Sequence, residues 1–244
     1  MQLPTKKTKP PIDIGRITMM IYGDPKIGKS TFCSRIEDAI FCDLEDGLRY
    51  LETASVRCKS IDDVHELVNL LEHNQTYKTL IIDTVDRLWS LCVESVKISK
   101  RIDVLSDLAY GRGVDLALSL FEAVINRISR LNKGYVFISH AIKDDVETVN
   151  GSISKFLPSL YYKARNIVMP NVDIIGFAMN EISIDNNGNR CEKRLLRVSP
   201  SSSWEAGDRT GRLPEVIPLN YHIFKRYYQC EESEKESENV NGSH

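Results

Sequence analysis

Eight consecutive residues at 23–30, Gly-Asp-Pro-Lys-Ile-Gly-Lys-Ser, carry the clearest chemical signal in this 244-residue sequence. They fit the pattern G-x-x-x-x-G-K-[ST], in which backbone N–H groups surround phosphate oxygens. In this pattern Lys29 is expected to reach the β- and γ-phosphates of a nucleoside triphosphate, and the Ser30 hydroxyl is expected to bind Mg²⁺. The residues predicted to bind the cofactors, ATP and Mg²⁺, are Gly23, Asp24, Pro25, Lys26, Ile27, Gly28, Lys29, Ser30 and Thr31.

Two acidic residues follow apolar runs and are candidates to bind the metal ion and to orient the attacking water. The run 39–43 leads to Glu45, and the run 79–82 ends at Asp83. Because ligands of open α/β sheets bind at the carboxyl ends of strands, we expect Asp83 to hold Mg²⁺ and Glu45 to orient or deprotonate water. The alternatives are that Glu45 is a turn acid in solvent and that Asp83 begins a loop.

Three further residues are candidates for contacting the γ-phosphate. His140 ends the apolar run 135–139 and is predicted to sense the phosphate, although a lone histidine is more often structural. The polar segment 199–214 has no periodicity, and long loops in compact domains often carry function. Arg209 or Arg212 in this segment is expected to act as an arginine finger, within the chain or from a neighbouring subunit. The alternative is that both are solvated loop arginines.

The elements that must position these residues are visible in the hydrophobic pattern. The run 17–22 predicts a strand before the glycine loop and 30–36 predicts a helix after it, which argues against a chance occurrence of the motif. Further helices are predicted at 62–73, 86–100 and 114–131. Further strands are predicted at 39–43, 79–83, 135–140, 173–184 and 190–198, with a loop or hairpin at 142–155. The expected fold class is α/β, with a mostly parallel central sheet, helices on both faces and a C-terminal β-hairpin.

Length and composition fit one domain at 15–228, with a flexible leader at 1–14 and an acidic, disordered tail at 229–244. The net charge of −2 does not indicate nucleic-acid binding through bulk charge. The six cysteines include no C-x-x-C pair, which favours separate thiols in a reducing compartment. No signal-peptide pattern and no apolar run of about 18 residues is found, so we expect a cytoplasmic protein without a membrane span.

The order of these motifs resembles the RecA-like P-loop ATPase core. Residues 41–45 are similar to the strand that ends in that family's catalytic glutamate, and residues 80–85 resemble its Walker B strand. Residues 137–140 resemble the strand whose last polar residue, usually Gln, couples nucleotide state to the DNA loops. By this resemblance the first DNA loop falls near 101–113 and the second near 142–155, which is acidic in this sequence.

A narrower resemblance is to phage nucleotide-binding proteins that comprise little more than this core, including the Sak-type single-strand-annealing ATPases. The segments at 23–30, 138–141 and 199–214 carry this resemblance, which covers about residues 15–228. It implies Mg-dependent ATP hydrolysis that acts on single-stranded DNA in phage recombination or replication. It also implies a homo-oligomer with sites completed between subunits, a single-strand-binding protein as a partner, and the cytoplasm of a bacterial host.

Two other classes of function remain compatible with the motifs. A nucleotide-gated loader or switch that hydrolyses ATP slowly and binds a protein partner is favoured by the acidic segment 142–155 and the net charge of −2. A small-molecule kinase would need an acceptor pocket and a helical lid with clustered arginines over the phosphates. No such lid pattern is evident in the sequence.

Overall fold

The computed structural model describes residues 13–148, 151–184 and 190–229. The helices are α1 (Lys29–Cys33), α2 (Ile61–His73), α3 (Val85–Lys100), α4 (Arg112–Ser129), α5 (Tyr162–Val168) and α6 (Tyr221–Gln229). The strands are β1 (Thr18–Gly23), β2 (Ala39–Asp43), β3 (Ser55–Arg57), β4 (Thr79–Asp83), β5 (Gly134–Thr148), β6 (Gly151–Pro158), β7 (Ile174–Ile184), β8 (Arg190–Arg197), β9 (Gly207–Asp208) and β10 (Val216–Pro218). Most of the predicted leader (1–12), most of the predicted tail (230–244) and the predicted hairpin turn at 185–189 lie outside the described residues. Ile14 is already buried in the core, and Gln229 is the last residue of α6.

One sheet organises the fold, and β1, which leads into the glycine loop, lies in its middle. The strand order is β10-β8-β7-β1-β5-β4-β2-β3, with β6 paired to β5 and β9 paired to β7. All pairs from β7 to β3 are parallel, whereas β6, β8, β9 and β10 join the sheet antiparallel. The predicted mostly parallel sheet and the C-terminal hairpin, formed by β7 and β8, are therefore confirmed.

Helices cover both faces of the sheet because the buried side chains of the central strands alternate in direction. In β1, Met19 and Ile21 belong to one hydrophobic core, whereas Met20 belongs to the other. Helices α1 and α6 contribute to the Met19 core, and α2, α3, α4 and α5 contribute to the Met20 core. Burial on both sides explains why these strands appear in the sequence as continuous apolar runs. No helix in the described part of the chain is long and apolar enough to cross a lipid bilayer.

The antiparallel strands β5 and β6 account for residues 142–148 and 151–155 of the predicted loop or hairpin, and part of the segment 199–214 braces them. The Tyr22 hydroxyl at the end of β1 donates to the carbonyl oxygens of Phe156 (3.0 Å) and Glu205 (2.6 Å). The Lys155 ammonium forms an ion pair with the Glu205 carboxylate at 2.6 Å. The beginning of the loop that we expected to be functional therefore fixes the base of the hairpin to β1.

Helices α3 and α4 and the connection between them form a unit that we call the arm (85–129). The ring of Trp89 on α3 meets the ring of Phe121 on α4 edge-on, at a centroid distance of 5.6 Å. The connection at 101–111, where the resemblance places the first DNA loop, contains two short 3-10 turns, Leu105–Asp107 and Ala109–Gly111. The arm begins directly after β4, so it is connected to the strand that carries Asp83.

A methyl group at Gly23 should destabilise the fold, since its ideal position lies 2.3 Å from the carbonyl oxygen of Ala178 on β7. Because that oxygen belongs to the backbone of a central strand, β1 and β7 would have to separate. We expect Gly23→Ala to lower the free energy of unfolding by about 1–3 kcal/mol in urea denaturation without nucleotide. Gly47→Ala is the control, since a methyl group there has no atom within 4 Å. An equal loss in both variants would contradict the packing argument.

Candidate functional site

The loop between β1 and α1 has a backbone conformation that requires glycine. Gly28 precedes α1 with φ 114° and ψ 18°, a region that residues with a Cβ atom rarely adopt. Its carbonyl oxygen accepts from the N–H of Phe32 at 2.9 Å, which starts the helix. The helix is shorter than the predicted 30–36 and ends at Cys33. The first N–H groups of a helix have no partner within it, so those after Gly28 can bind phosphate oxygens.

The side chain of Lys29 folds back over this loop. Its Nζ atom donates to the carbonyl oxygens of Gly23 and Asp24, each at 2.8 Å. Only 6% of Lys29 is exposed, and this burial lowers the pKa of its amine, while the nearby Asp83 carboxylate opposes the change. A phosphate oxygen is a stronger acceptor than either carbonyl, so the amine is poised to exchange these neutral partners for an anion.

Ser30 and Asp83 form a pair of oxygen donors next to Lys29. The Ser30 hydroxyl donates to the Asp83 carboxylate at 2.7 Å, and burial raises the pKa of Asp83 to about 6. Hydroxyl and carboxylate oxygens are ligands that Mg²⁺ accepts, and Mg²⁺ bound with nucleotides commonly takes one or two carboxylates plus phosphates and water. The donor chemistry therefore fits Mg²⁺. Within the described ranges, no group of three or more His, Cys, Asp or Glu residues could hold a metal ion.

Glu45 is held beside Asp83 by Thr84, a residue that we did not predict. The Thr84 hydroxyl donates to the Glu45 carboxylate at 2.7 Å and accepts from the N–H of Arg87, which caps α3. The turn that carries Glu45 is fixed by Asp43, whose carboxylate accepts from the Glu45 N–H at 3.2 Å. The exposed carboxylate of Glu45 is thus oriented by the start of the arm.

His140 is bound by Asp86, which also was not predicted. The Nδ1 atom and the backbone N–H of His140 each lie 2.8 Å from one carboxylate oxygen of Asp86. The hydrogen bond to Asp86 raises the pKa of the imidazole, although burial acts in the opposite direction. A protonated ring in this position can donate to a phosphate oxygen from its other nitrogen.

These side chains line one open cavity of about 440 Å³. Its walls are formed by Pro25, Lys26, Gly28, Lys29, Ser30, Thr31, Glu45, Gly47, Leu51, Asp83, Thr84, Ile138 and His140. The structure therefore brings together the glycine loop, both acids at the strand ends and the histidine. Gly23 and Asp24 take part as acceptors for Lys29, and Ile27 lies on another cavity described below.

Comparison with known proteins agrees with this geometry. Residues 16–210 match the family described as an AAA domain. The chain belongs to this family. Its parallel sheet, glycine loop and strand-end acids form a P-loop ATPase core that binds nucleotide.

Solved structures from archaea are among the similar proteins. A KaiC-like protein from Pyrococcus horikoshii OT3 has 13% identity and a TM-score of 0.43, with 75% of this chain and 78% of that chain covered. The flagellar accessory protein FlaH from Methanocaldococcus jannaschii has 13% identity and a TM-score of 0.41, with 83% and 84% covered. No curated protein matches the sequence.

The two arginines predicted as fingers lie away from the cavity of this AAA domain. Arg209 directly follows β9, which pairs with the first residues of β7, at the edge where the parallel strands begin. Its guanidinium donates to the carbonyl oxygen of Pro170 at 3.1 Å. Arg212 donates to the carbonyl oxygen of Tyr228 at 3.1 Å. The glycine loop lies at the opposite edge, so neither arginine acts as a finger within the same chain in this structure. A finger from a neighbouring subunit stays a prediction.

A second cavity, of about 510 Å³, adjoins the first through Gly28 and Thr31. The other residues that line it are Ile27, Phe32, Arg35, Arg194, Leu219, Asn220, Tyr221 and His222. A guanidinium nitrogen of Arg194 on β8 lies 3.6 Å from the position that a Cβ atom of Gly28 would take. Arg194 was not predicted, because nothing in the sequence distinguishes it from the other basic residues of β8.

Removing the charge of Asp83 should stabilise the nucleotide-free AAA domain in a pH-dependent way. Its pKa is raised to about 6 in the folded chain. The unfolded value is about 3.9, so the folded state holds the proton more tightly and the wild type loses stability as the pH rises from about 4 to 6. At pH 7 we expect Asp83→Asn to unfold with a free energy about 1–3 kcal/mol higher than the wild type, with no difference below about pH 4.

Urea denaturation with EDTA measures this difference. Asp62→Asn, which changes an exposed acid in the first turn of α2, is the control and should be no more stable than the wild type at pH 7. If Asp83→Asn is no more stable than the wild type at pH 7, burial of an unfavourable charge at Asp83 is disproved.

Proposed function

We propose that this chain hydrolyses ATP in a Mg²⁺-dependent reaction and uses the cycle to act on single-stranded DNA, by annealing or strand pairing in phage recombination or replication. One observation carries the enzymatic part. A phosphate-binding loop with Lys29, a Ser30–Asp83 oxygen pair and the oriented carboxylate of Glu45 share one cavity.

Each of these groups has a distinct task in the proposed reaction. The loop N–H groups and Lys29 bind the β- and γ-phosphates, and Ser30 and Asp83 hold Mg²⁺, which supplies charge neutralisation when bound. Glu45 orients a water molecule and accepts its proton. The water oxygen forms a bond to the γ-phosphorus while the bond to the β–γ bridging oxygen breaks, which releases ADP and phosphate.

The second cavity is proposed to take the nucleoside part of ATP. It adjoins the phosphate loop at Gly28 and Thr31, so one nucleotide can extend through both cavities. Arg35 and Arg194 contribute two positive charges to its walls, which suits the α-phosphate and the polar edge of the sugar.

The arm supports single-stranded DNA as the substrate. Tyr110, in the connection between α3 and α4, is 98% exposed. Nearby in the sequence are the cations Lys97, Lys100, Arg101 and Arg112, none of which forms an ion pair with another described residue. Cationic residues that bind the backbone and an exposed ring that stacks on bases are the features of sequence-tolerant single-strand binding.

The assembly and the partners belong to the same proposal. The resemblance of residues 199–214 to the phage Sak-type ATPases supports a homo-oligomer, a single-strand-binding protein as partner and a place in the host cytoplasm. Arg209 and Arg212 lie at the sheet edge opposite the cavity, and a head-to-tail arrangement of subunits would bring that edge towards the next subunit's cavity.

A nucleotide-gated loader with slow hydrolysis is the second candidate. The exposed β5–β6 hairpin favours it, because Asp144, Asp145 and Glu147 give this hairpin an acidic outer part that suits a basic protein partner better than DNA. This candidate predicts partner binding only in the presence of ATP.

Glu45→Gln should separate nucleotide binding from hydrolysis. The amide keeps the shape of the side chain but cannot accept a proton, so we expect ATP turnover to fall by about 10²–10⁴-fold while the affinity for ATP is retained. Lys29→Ala is the reference for lost binding. Turnover of radiolabelled ATP and calorimetric titration measure the two quantities, and unchanged turnover in Glu45→Gln would remove the catalytic assignment of Glu45.

Tyr110→Ala should weaken binding to a fluorescent poly(dT) oligonucleotide, since one stacking contact is worth about 1–3 kcal/mol. We expect a loss of about 5–150-fold in affinity at low salt, measured by anisotropy. Tyr50 is equally exposed at 98% but lies outside the arm, so Tyr50→Ala is the matched control. If the wild type does not bind the oligonucleotide, the assignment of DNA as substrate fails.

A further inference from the structure

We propose that Asp86 is a positioning residue that fastens His140 to the first turn of α3, so that occupancy of the γ-phosphate position is transmitted to the arm. This inference rests on the proposed function, since it assigns the regulation of the same site. It identifies the contacts that join the nucleotide cavity to the arm, which includes the residues 101–111 between α3 and α4.

The carboxylate of Asp86 makes the contacts that join Ser139 and His140 on β5 to the arm. One oxygen of Asp86 accepts from the backbone N–H of His140 and lies against its Nδ1 atom, each at 2.8 Å. Its other oxygen accepts from the hydroxyl of Ser139, which is fully buried. Asp86 is the second residue of α3, so these bonds join the strand end directly to the helix start.

The same contacts leave the other face of His140 directed at the nucleotide cavity. Because Nδ1 is bound to Asp86, Nε2 is the ring nitrogen left for a phosphate oxygen, and His140 is part of the cavity wall. The charged groups that surround the ring are Asp86 on α3, Glu45 after β2 and Lys29 on α1. A γ-phosphate would add negative charge to this group, and its loss after hydrolysis would change the forces on the ring.

The helix start is packed tightly enough to pass on such a change. Val85 and Leu88, on either side of Asp86, are fully buried. Trp89, one turn after Asp86, is stacked on Tyr161 with ring centroids 5.6 Å apart and planes at 9°, and also meets Phe121 on α4. A shift of the first turn of α3 would therefore disturb the packing of Trp89 between α4 and the segment before α5.

Trp89 provides the means to test the coupling. The chain has two tryptophans, so Trp204→Phe leaves Trp89 as the sole indole reporter. In this background we expect Mg²⁺ with ATPγS to change the Trp89 emission and Mg²⁺ with ADP to change it much less. Asp86→Ala removes the acceptor of all three hydrogen bonds, and we expect it to reduce the difference at least about fivefold with the ATPγS affinity retained.

Two further variants keep the test specific. His140→Ala removes the ring between Asp86 and the γ-phosphate position and should cause the same loss of the Trp89 response. Asp62→Asn, which changes an exposed acid in the first turn of α2, should leave the response intact. Thermal unfolding checks that each variant is folded. If the variant at Asp86 is not folded, the variant at His140 carries the test alone, and the reverse also holds.

The outcomes separate this inference from the proposed function. A full Trp89 response in Asp86→Ala or His140→Ala, or equal responses to ATPγS and ADP in the Trp204→Phe background, would overturn the coupling while nucleotide binding stands. If ATPγS does not bind in calorimetric titration, the proposed function itself fails and the coupling fails with it.

Discussion

Parallel register across the centre of the sheet is the constraint on which the site depends. Gly23 at the end of β1 is opposite His140 on β5, and Asp83 at the end of β4 is opposite Ile138. Asp83 is also opposite Asp43 on β2, two residues before Glu45. Because all four strands run in the same direction, the loop, the histidine and both acids emerge at one edge. A register shift of one residue in any of these strands would direct its side chains into the opposite hydrophobic core.

The charges at this edge are only partly satisfied by one another. Lys29 donates to neutral carbonyl groups, and Asp83 is buried with the Ser30 hydroxyl as its hydrogen-bond partner and with its pKa raised. A cation next to Asp83 and a phosphate next to Lys29 would satisfy both groups. By contrast, Asp86 receives three hydrogen bonds from Ser139 and His140 on β5 and serves as a structural anchor. The ligand-binding groups are thus the incompletely paired ones, and the positioning groups are the fully paired ones.

The glycine loop, the parallel sheet and the convergence of Asp83 and His140 were predictable, because they depend on local spacing and on the direction of strands. The helix that begins near Asp86 was predicted, but the hydrogen bonds of Asp86 to Ser139 and His140 were missed, because they join residues far apart in the sequence. The positions of Arg194 and Arg209 depend on how β8 and β9 pair with the sheet. Those pairings are long-range, so no local pattern separates an arginine beside Gly28 from one at the opposite edge.

The most direct test of the central claim is a crystal structure with ADP, Mg²⁺ and tetrafluoroaluminate. The account predicts the aluminate within hydrogen-bond distance of Lys29, a metal ion bound to Ser30, and a water molecule between the aluminate and Glu45. Nucleotide bound away from residues 23–31, or a bound nucleotide with Glu45 and Asp83 both directed out of the cavity, would contradict it.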